Sequence, residues 1–348
     1  MTATHTHLTS WQTSLINQGA VIENGAVMRF GDANNELLAT TNSNTLCDLS
    51  HLGLLELSGE DAVTFLQGQV TNDVKLLTGT NAHYSAYCNP KGRMLTLFLA
   101  FAHYDHLHLQ LNRELLEPIM KRLKMYVMRS KVEIKDVSDS IIKFGINGPQ
   151  AASMLEAVFS KIPTQDYELV SLENGTLIKL PGINGQERFQ IFIDAVNAPL
   201  IWSALKSNCQ LVGKPCWDWL EIQAGIADIE LKTQEQFVPQ MLNLDILNAI
   251  NFKKGCYTGQ EIVARTHYLG SVKRRTYLAE LASETAPLAG DKIVDAAQSE
   301  IGQIVRVAPN VAGGFDVLAE LRIESLTNQV FCSGAPLNFK TLPYSLNL

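Results

Sequence analysis

The spacing of apolar positions changes several times along the chain, and each change marks an element. Residues 54–57, Leu-Leu-Glu-Leu, read as a strand that ends at a turn on Gly59. Ser58 and Asp61 have the S-x-x-D spacing of a capping box, and Val63, Phe65, Leu66 and Val70 give the helix that follows an apolar side. The pattern recurs 89 residues on, where a strand over 143–146 meets Gly148, Pro149 opens a helix, and Ala151 and Leu155 fall where Ala62 and Leu66 fell. The match suggests a duplicated unit, and two unrelated strand-to-helix turns remain the alternative.

Between the two lies a hairpin: a strongly apolar run over 94–102, a turn at Tyr104-Asp105, and Leu107, Leu109 and Leu111 alternating with polar residues. A helix over 113–128 follows, with Pro118 early in it, and then a strand over 131–134. Residues 24–44 read as loops and short strands, 188–194 as a strand and 198–206 as a helix. Hairpins mixed with helices predict antiparallel α+β layers rather than a doubly wound parallel sheet. From Ser271 the pattern becomes short strands over 272–281, 301–307, 315–323 and 329–332, punctuated by glycines, which predicts a small β-barrel domain. The expected division is a flexible tail over 1–20, α+β domains over 21–140 and 141–270, interleaved or consecutive, and the barrel over 271–348.

Composition narrows the class. Of 348 residues, 46% are hydrophobic and 18% charged, which excludes intrinsic disorder. The net charge of −7 argues against direct nucleic-acid binding. No run of about 18 apolar residues predicts a membrane span. Residues 1–10 lack the charged and apolar regions of a signal peptide, so a cytoplasmic protein is expected. The six cysteines, at 47, 88, 209, 216, 256 and 332, form no C-x-x-C pair or zinc pattern and read as reduced thiols.

The densest chemical signal is the stretch 251–265, N-F-K-K-G-C-Y-T-G-Q-E-I-V-A-R. Thr258 and Glu261 have capping-box spacing, with Tyr257 and Ile262 as a hydrophobic staple, so a helix is expected to start at Gly259. Cys256 then precedes the cap by two residues, with Lys253 and Lys254 behind it. Helix dipole and lysines both favour a thiolate, which makes Cys256 a candidate functional thiol. Gly255 and Gly259 would allow close backbone approach around the sulfur. The alternative is a capped helix with a structural cysteine.

The run Lys254–Glu261, K-G-C-Y-T-G-Q-E, resembles the signature of the YgfZ family of folate-binding proteins, relatives of the glycine-cleavage aminomethyltransferase. The blocks F-L-Q-G-Q-V-T-N-D at 65–73, N-P-K-G-R at 89–93, I-Q-A-G-I at 222–226, F-V-P-Q at 237–240 with Asn243-Leu244, and Leu342-Pro343-Tyr344 resemble further family blocks in the same order. The resemblance implies a three-domain aminomethyltransferase-like fold around a central channel that takes tetrahydrofolate. It also implies a role in assembling or repairing iron–sulfur enzymes, including enzymes that thiolate tRNA. The partners would be folate and iron–sulfur enzymes or assembly proteins, with no direct nucleic acid and no membrane. The carboxylate pair of the aminomethyltransferases falls on Thr96 and Leu97, which cannot serve as a general base. This disfavours the alternative of a folate-dependent aminomethyl transferase.

For the site, Cys256, Lys254 and Tyr257 are the candidate reactive group. Trp217, Glu221, Gln67, Gln69, Asn72, Lys91, Arg93 and Gln260 are the candidate folate contacts. No resident metal is expected. The histidines at 103, 106 and 108 lack a third ligand at fitting spacing, and one thiol cannot hold an iron–sulfur cluster alone, so cluster contact would be transient.

Overall fold

A computed structural model describes residues 8–346. They form two compact units, 8–53 with 137–217, and 54–136 with 218–346. Each unit joins an early stretch of the chain to a later one. The cause is a pairing: strand Thr45–Asp48 lies antiparallel beside Ile141–Gly148, which carries the early residues into the later sheet.

In the first unit, six strands run in the order Leu169–Leu172, Gly175–Ile183, Gln186–Asp194, Ile141–Gly148, Thr45–Asp48, Gln210–Val212. All pairs are antiparallel except the last. Successive side chains on a strand point to opposite faces. One face presents Leu46, Phe144, Ile146, Leu177, Phe189 and Ile191 to a core completed by Trp11, Leu155 and Trp202. The other face carries Thr45, Lys143, Asn147, Arg188 and Gln190, all buried.

Two expectations fail here. Part of the expected tail, Ser10–Ile16, is a helix with Trp11 and Leu15 buried, opened by a full capping box between Thr9 and Gln12. The Trp11 indole donates to Asp48 at 2.7 Å. Residues 1–7 of that tail lie outside the described residues. Within the stretch expected as loops and strands, Ala33–Asn42 is a helix capped by Asp32.

In the second unit, a five-stranded sheet runs Ala82–Cys88, Met94–His103, His106–Asn112, Leu52–Ser58, Glu133–Asp136. Helix Arg113–Val127, expected over 113–128, starts on an Asn112 cap. The same unit contains the expected barrel. It is closed, with six strands in the order Arg274–Leu281, Phe315–Arg322, Glu300–Pro309, Lys292–Val294, Phe331–Cys332, Ala335–Lys340. Closure leaves no unpaired edge, and Ala279, Ile304, Val317 and Val330 fill the interior. Among the described residues, no helix is long and apolar enough to cross a membrane.

The repeat at 89 residues has a structural counterpart in each unit. Strands Leu52–Ser58 and Ile141–Gly148 each pass through a positive-φ glycine, Gly59 or Gly148, into a six-residue helix. Ala62 and Ala151, and Leu66 and Leu155, are buried at matching places. Neither helix has a side-chain cap. The expected Ser58/Asp61 box is absent because the Asp61 carboxylate accepts instead from the Lys131 backbone N–H at 2.8 Å.

Candidate functional site

The segment from Asn248 to Gln260 is strapped onto the turn that follows helix Ala62–Gln67. Asn72 Nδ2 donates to the carbonyls of Tyr84 and Asn248, and Thr71 Oγ1 donates to that of Ala249. The strongest strap is Lys254. Its ammonium donates to the carbonyls of Gln67, Val70 and Asn72 at 2.7, 2.5 and 2.9 Å, using all three of its protons. Burial lowers its pKa to about 8, while the Asp73 charge acts the other way. Lys254 is therefore an anchor on a helix end and not, as the sequence suggested, a cation presented to the thiol. Its ammonium also lies 5.1 Å from the centre of the buried Tyr257 ring. Burial raises the Tyr257 pKa.

Between these two buried residues the chain surfaces. Gly255 and Cys256 are both exposed. Of the six cysteines, four are buried and Cys209 is half-buried, which leaves Cys256 as the exposed one.

The next fixed point is Gly259. The motif helix is Gln260–Tyr268, and Gly259 itself caps it at φ +83° without a side-chain hydrogen bond. The Thr258/Glu261 capping box does not form, and Cys256 stands three residues before the cap rather than two. The reason is a tertiary contact with the 89–93 turn. A Cβ on Gly259 would lie 2.5 Å from the Asn89 carbonyl oxygen, and one on Gly92 would lie 2.9 Å from Ile262 Cβ. Two glycine backbones pack where side chains cannot. Gly255, by contrast, faces open space: a Cβ there would meet nothing within 4 Å, so no close approach explains this glycine.

The remaining candidates in this unit are mostly engaged within the protein. Gln67 accepts from Val74 N and donates to Asp73. Asn72 is buried and saturated. Arg93 donates to the Gln236 carbonyl at 2.6 Å. Glu221 is buried, 3.8 Å from Arg306, which also bonds Asp218. Lys91 is exposed and Gln260 half-buried. Gln69 has a buried Oε1 with no hydrogen-bond partner. So does the Nε2 of His83, a residue that sequence reasoning missed. Burial, with Lys254 adding to it, lowers the His83 pKa to about 4.

Arg275 forms a two-pronged pair with Asp245, and Arg274 pairs with Glu320. The histidine hairpin gains a carboxylate that the spacing did not reveal: Glu56 lies 3.1 Å from His106 and 3.5 Å from His108. Those contacts, with the His108 bond first, hold the Glu56 pKa at about 2. Even so, no group of three His, Cys, Asp or Glu among the described residues could hold a metal ion.

Trp217 belongs to the first unit, where its ring lies flat against the sheet. A Cβ on Gly145 would sit 2.2 Å from the ring, and the Arg188 guanidinium stands 5.5 Å from its centre. Gln190 is the cross-strand partner of Gly145, and Asn147 is the next residue on the same face. Here Trp217 Nε1, Gln190 Oε1 and Asn147 Oδ1 are buried without hydrogen-bond partners. An unanswered buried donor or acceptor is costly. Sequence reasoning named Trp217 as a candidate and did not name the amides. The signal was Gly145, a glycine inside an apolar strand, which marks close approach of another group.

This architecture is that of an aminomethyltransferase-type protein. The family model for the GCVT N-terminal domain matches residues 26–254. The glycine cleavage system aminomethyltransferase T from Bartonella henselae superposes with a TM-score of 0.80 over 96% of this chain and 97% of its own, at 18% identity. Within that class the chain belongs to the YgfZ family. It is 35% identical over 251 residues to the tRNA-modifying protein YgfZ of Yersinia pestis (strain Pestoides F), covering 72% of this chain and 74% of that one. The protein of the same name from Yersinia enterocolitica serotype O:8 matches at the same identity and coverage.

Proposed function

We propose that this chain is a tetrahydrofolate-binding accessory protein that supports the assembly or repair of iron–sulfur enzymes, including tRNA-thiolating ones, through the thiol of Cys256. The observation that carries the proposal is the presentation of that thiol. Buried Lys254 and buried Tyr257 hold the loop on either side of it, and Gly259 seats the helix behind it, while Cys256 alone among the cysteines is exposed. An exposed, held thiol suits exchange with a partner thiol or transient contact with a cluster. Four protein ligands would be needed to keep a cluster. The role calls for a reducing compartment such as the cytoplasm.

The unanswered polar atoms around Trp217 support folate. A pterin offers acceptors to the indole N–H and donors to the Gln190 and Asn147 amide oxygens, and its ring suits an aromatic wall. A transferase is disfavoured because Thr96 and Leu97 are both buried in strand Met94–His103 and neither is a carboxylate. The tRNA-modifying role in the relatives' name then passes through client enzymes in this chain.

The test joins binding and rescue. Cys256→Ser is expected to bind tetrahydrofolate like the wild type in calorimetric titration, yet fail to restore tRNA thiolation in cells lacking the protein. Full restoration would remove the thiol from the mechanism. Robust aminomethyl transfer by the purified protein would overturn the accessory role.

A further inference from the structure

Strand Glu133–Asp136 ends the five-stranded sheet of the second unit. It pairs with Leu52–Ser58 on one side, and no described strand lies on the other. A surface groove of about 550 Å³ opens along it, lined by Met120, Lys124, Val127 and Val132 together with the strand itself. Ile134 points inward and is buried, whereas Glu133 and Lys135 share the opposite, exposed face. Beyond the groove, Met125 and Met128 are 68% and 88% exposed. An open edge with exposed apolar groups near it is a template for pairing with another strand.

We propose that a second copy of this chain docks on this edge, antiparallel about Ile134, to give one continuous sheet. Within one chain Lys135 Nζ lies 2.8 Å from Glu133 Oε2, and the same charge order, exchanged between chains, fits a copy of the chain as the occupant. A two-fold axis through Ile134 sets Glu133 opposite the partner's Lys135, and Lys135 opposite the partner's Glu133, on one face. Opposite charges directly across an antiparallel pair are favourable and like charges are not. Neighbouring registers of the same facing are penalised: a slip by two residues puts either Lys135 or Glu133 opposite itself. A slip by one sends Ile134 to the wrong face. The interface is isologous, so one pairing satisfies both free edges and closes the assembly as a dimer.

The experiment is sedimentation equilibrium on the full chain. The wild type is expected to pass from 38.4 kDa toward twice that mass as concentration rises. Lys135→Glu and Glu133→Lys should each weaken association by about tenfold, since two favourable pairs become two repulsive ones. Both positions are exposed, and unchanged melting temperatures will show that each variant folds. An equimolar mixture of the two variants should associate again, because an all-positive edge then faces an all-negative one. A wild type that stays monomeric at every concentration overturns the proposal. So does a dimer indifferent to the single changes, or singles that fail to rescue each other.

Discussion

Lys254 and His83 show how a single side chain can be misjudged from its neighbours in sequence. Lys254 is adjacent to Gly255 and Cys256, yet its ammonium is spent on three carbonyls of the 67–72 turn. Only the fold brings those carbonyls to it, so no local pattern marks Lys254 as an anchor. His83 carries the pH dependence of the same neighbourhood. Its pKa of about 4 in the folded protein lies below the ordinary value near 6.5. As pH falls from 6.5 towards 4, the unfolded chain takes up a proton that the folded protein refuses. More protons bound in the unfolded state mean stability that rises with pH, so acidification through this window removes it. The shift corresponds to about 3 kcal/mol. We expect urea unfolding of the wild type to lose stability between pH 6.5 and 4, and His83→Gln to lose about that much less. Parallel pH profiles would assign the acid sensitivity elsewhere.

At the scale of elements, local capping signals were legible but were overruled wherever a distant backbone pressed on a glycine. Gly59 meets the Lys131 carbonyl, where a Cβ would lie at 2.2 Å, and Gly259 meets the Asn89 carbonyl. At both, the S/T-x-x-D/E pattern is present and its bond is not made. A box that does form, Thr9 with Gln12, lies in a segment whose polar look hid it, although Trp11 and Leu15 are spaced as one helix face. The strand alternation, the hairpin, the barrel and the helix over 198–206 were read correctly because those patterns are local. This yields a three-way test by chemical denaturation. Gly259→Ala adds a methyl group against Asn89 at φ +83° and is expected to cost about 2–3 kcal/mol. Gly255→Ala meets open space and should change stability by less than about 0.5 kcal/mol. Thr258→Ala should also stay under about 0.5 kcal/mol, whereas a true cap would cost about 1 kcal/mol.

At the scale of the whole molecule, the shared sequence blocks have a common use. The 65–73, 89–93 and 237–244 blocks, like the 254–261 run, lie in the second unit and brace one another. Asn243 and the Gly225 carbonyl both hydrogen-bond the Tyr344 hydroxyl, tying the 222–226 block to the C-terminal one. What this scaffold leaves exposed is a single thiol. Cys88 and Cys209 are pushed up to about 12 by burial, and burial also raises Cys332. Cys47 and Cys216 are 1% and 3% exposed. Alkylation requires a thiolate the reagent can reach. Labelling of the native protein with iodoacetamide should therefore proceed in a fast phase of one equivalent per chain. Cys256→Ser should abolish that phase and leave the rest unchanged. The four buried thiols should react only as the units open, so their rates should rise steeply with denaturant while the rate at Cys256 does not. The comparison separates presentation from general looseness. If a second cysteine labels as fast as Cys256 in the folded protein, exposure at the motif loop is no longer distinctive, and the braced blocks need another explanation.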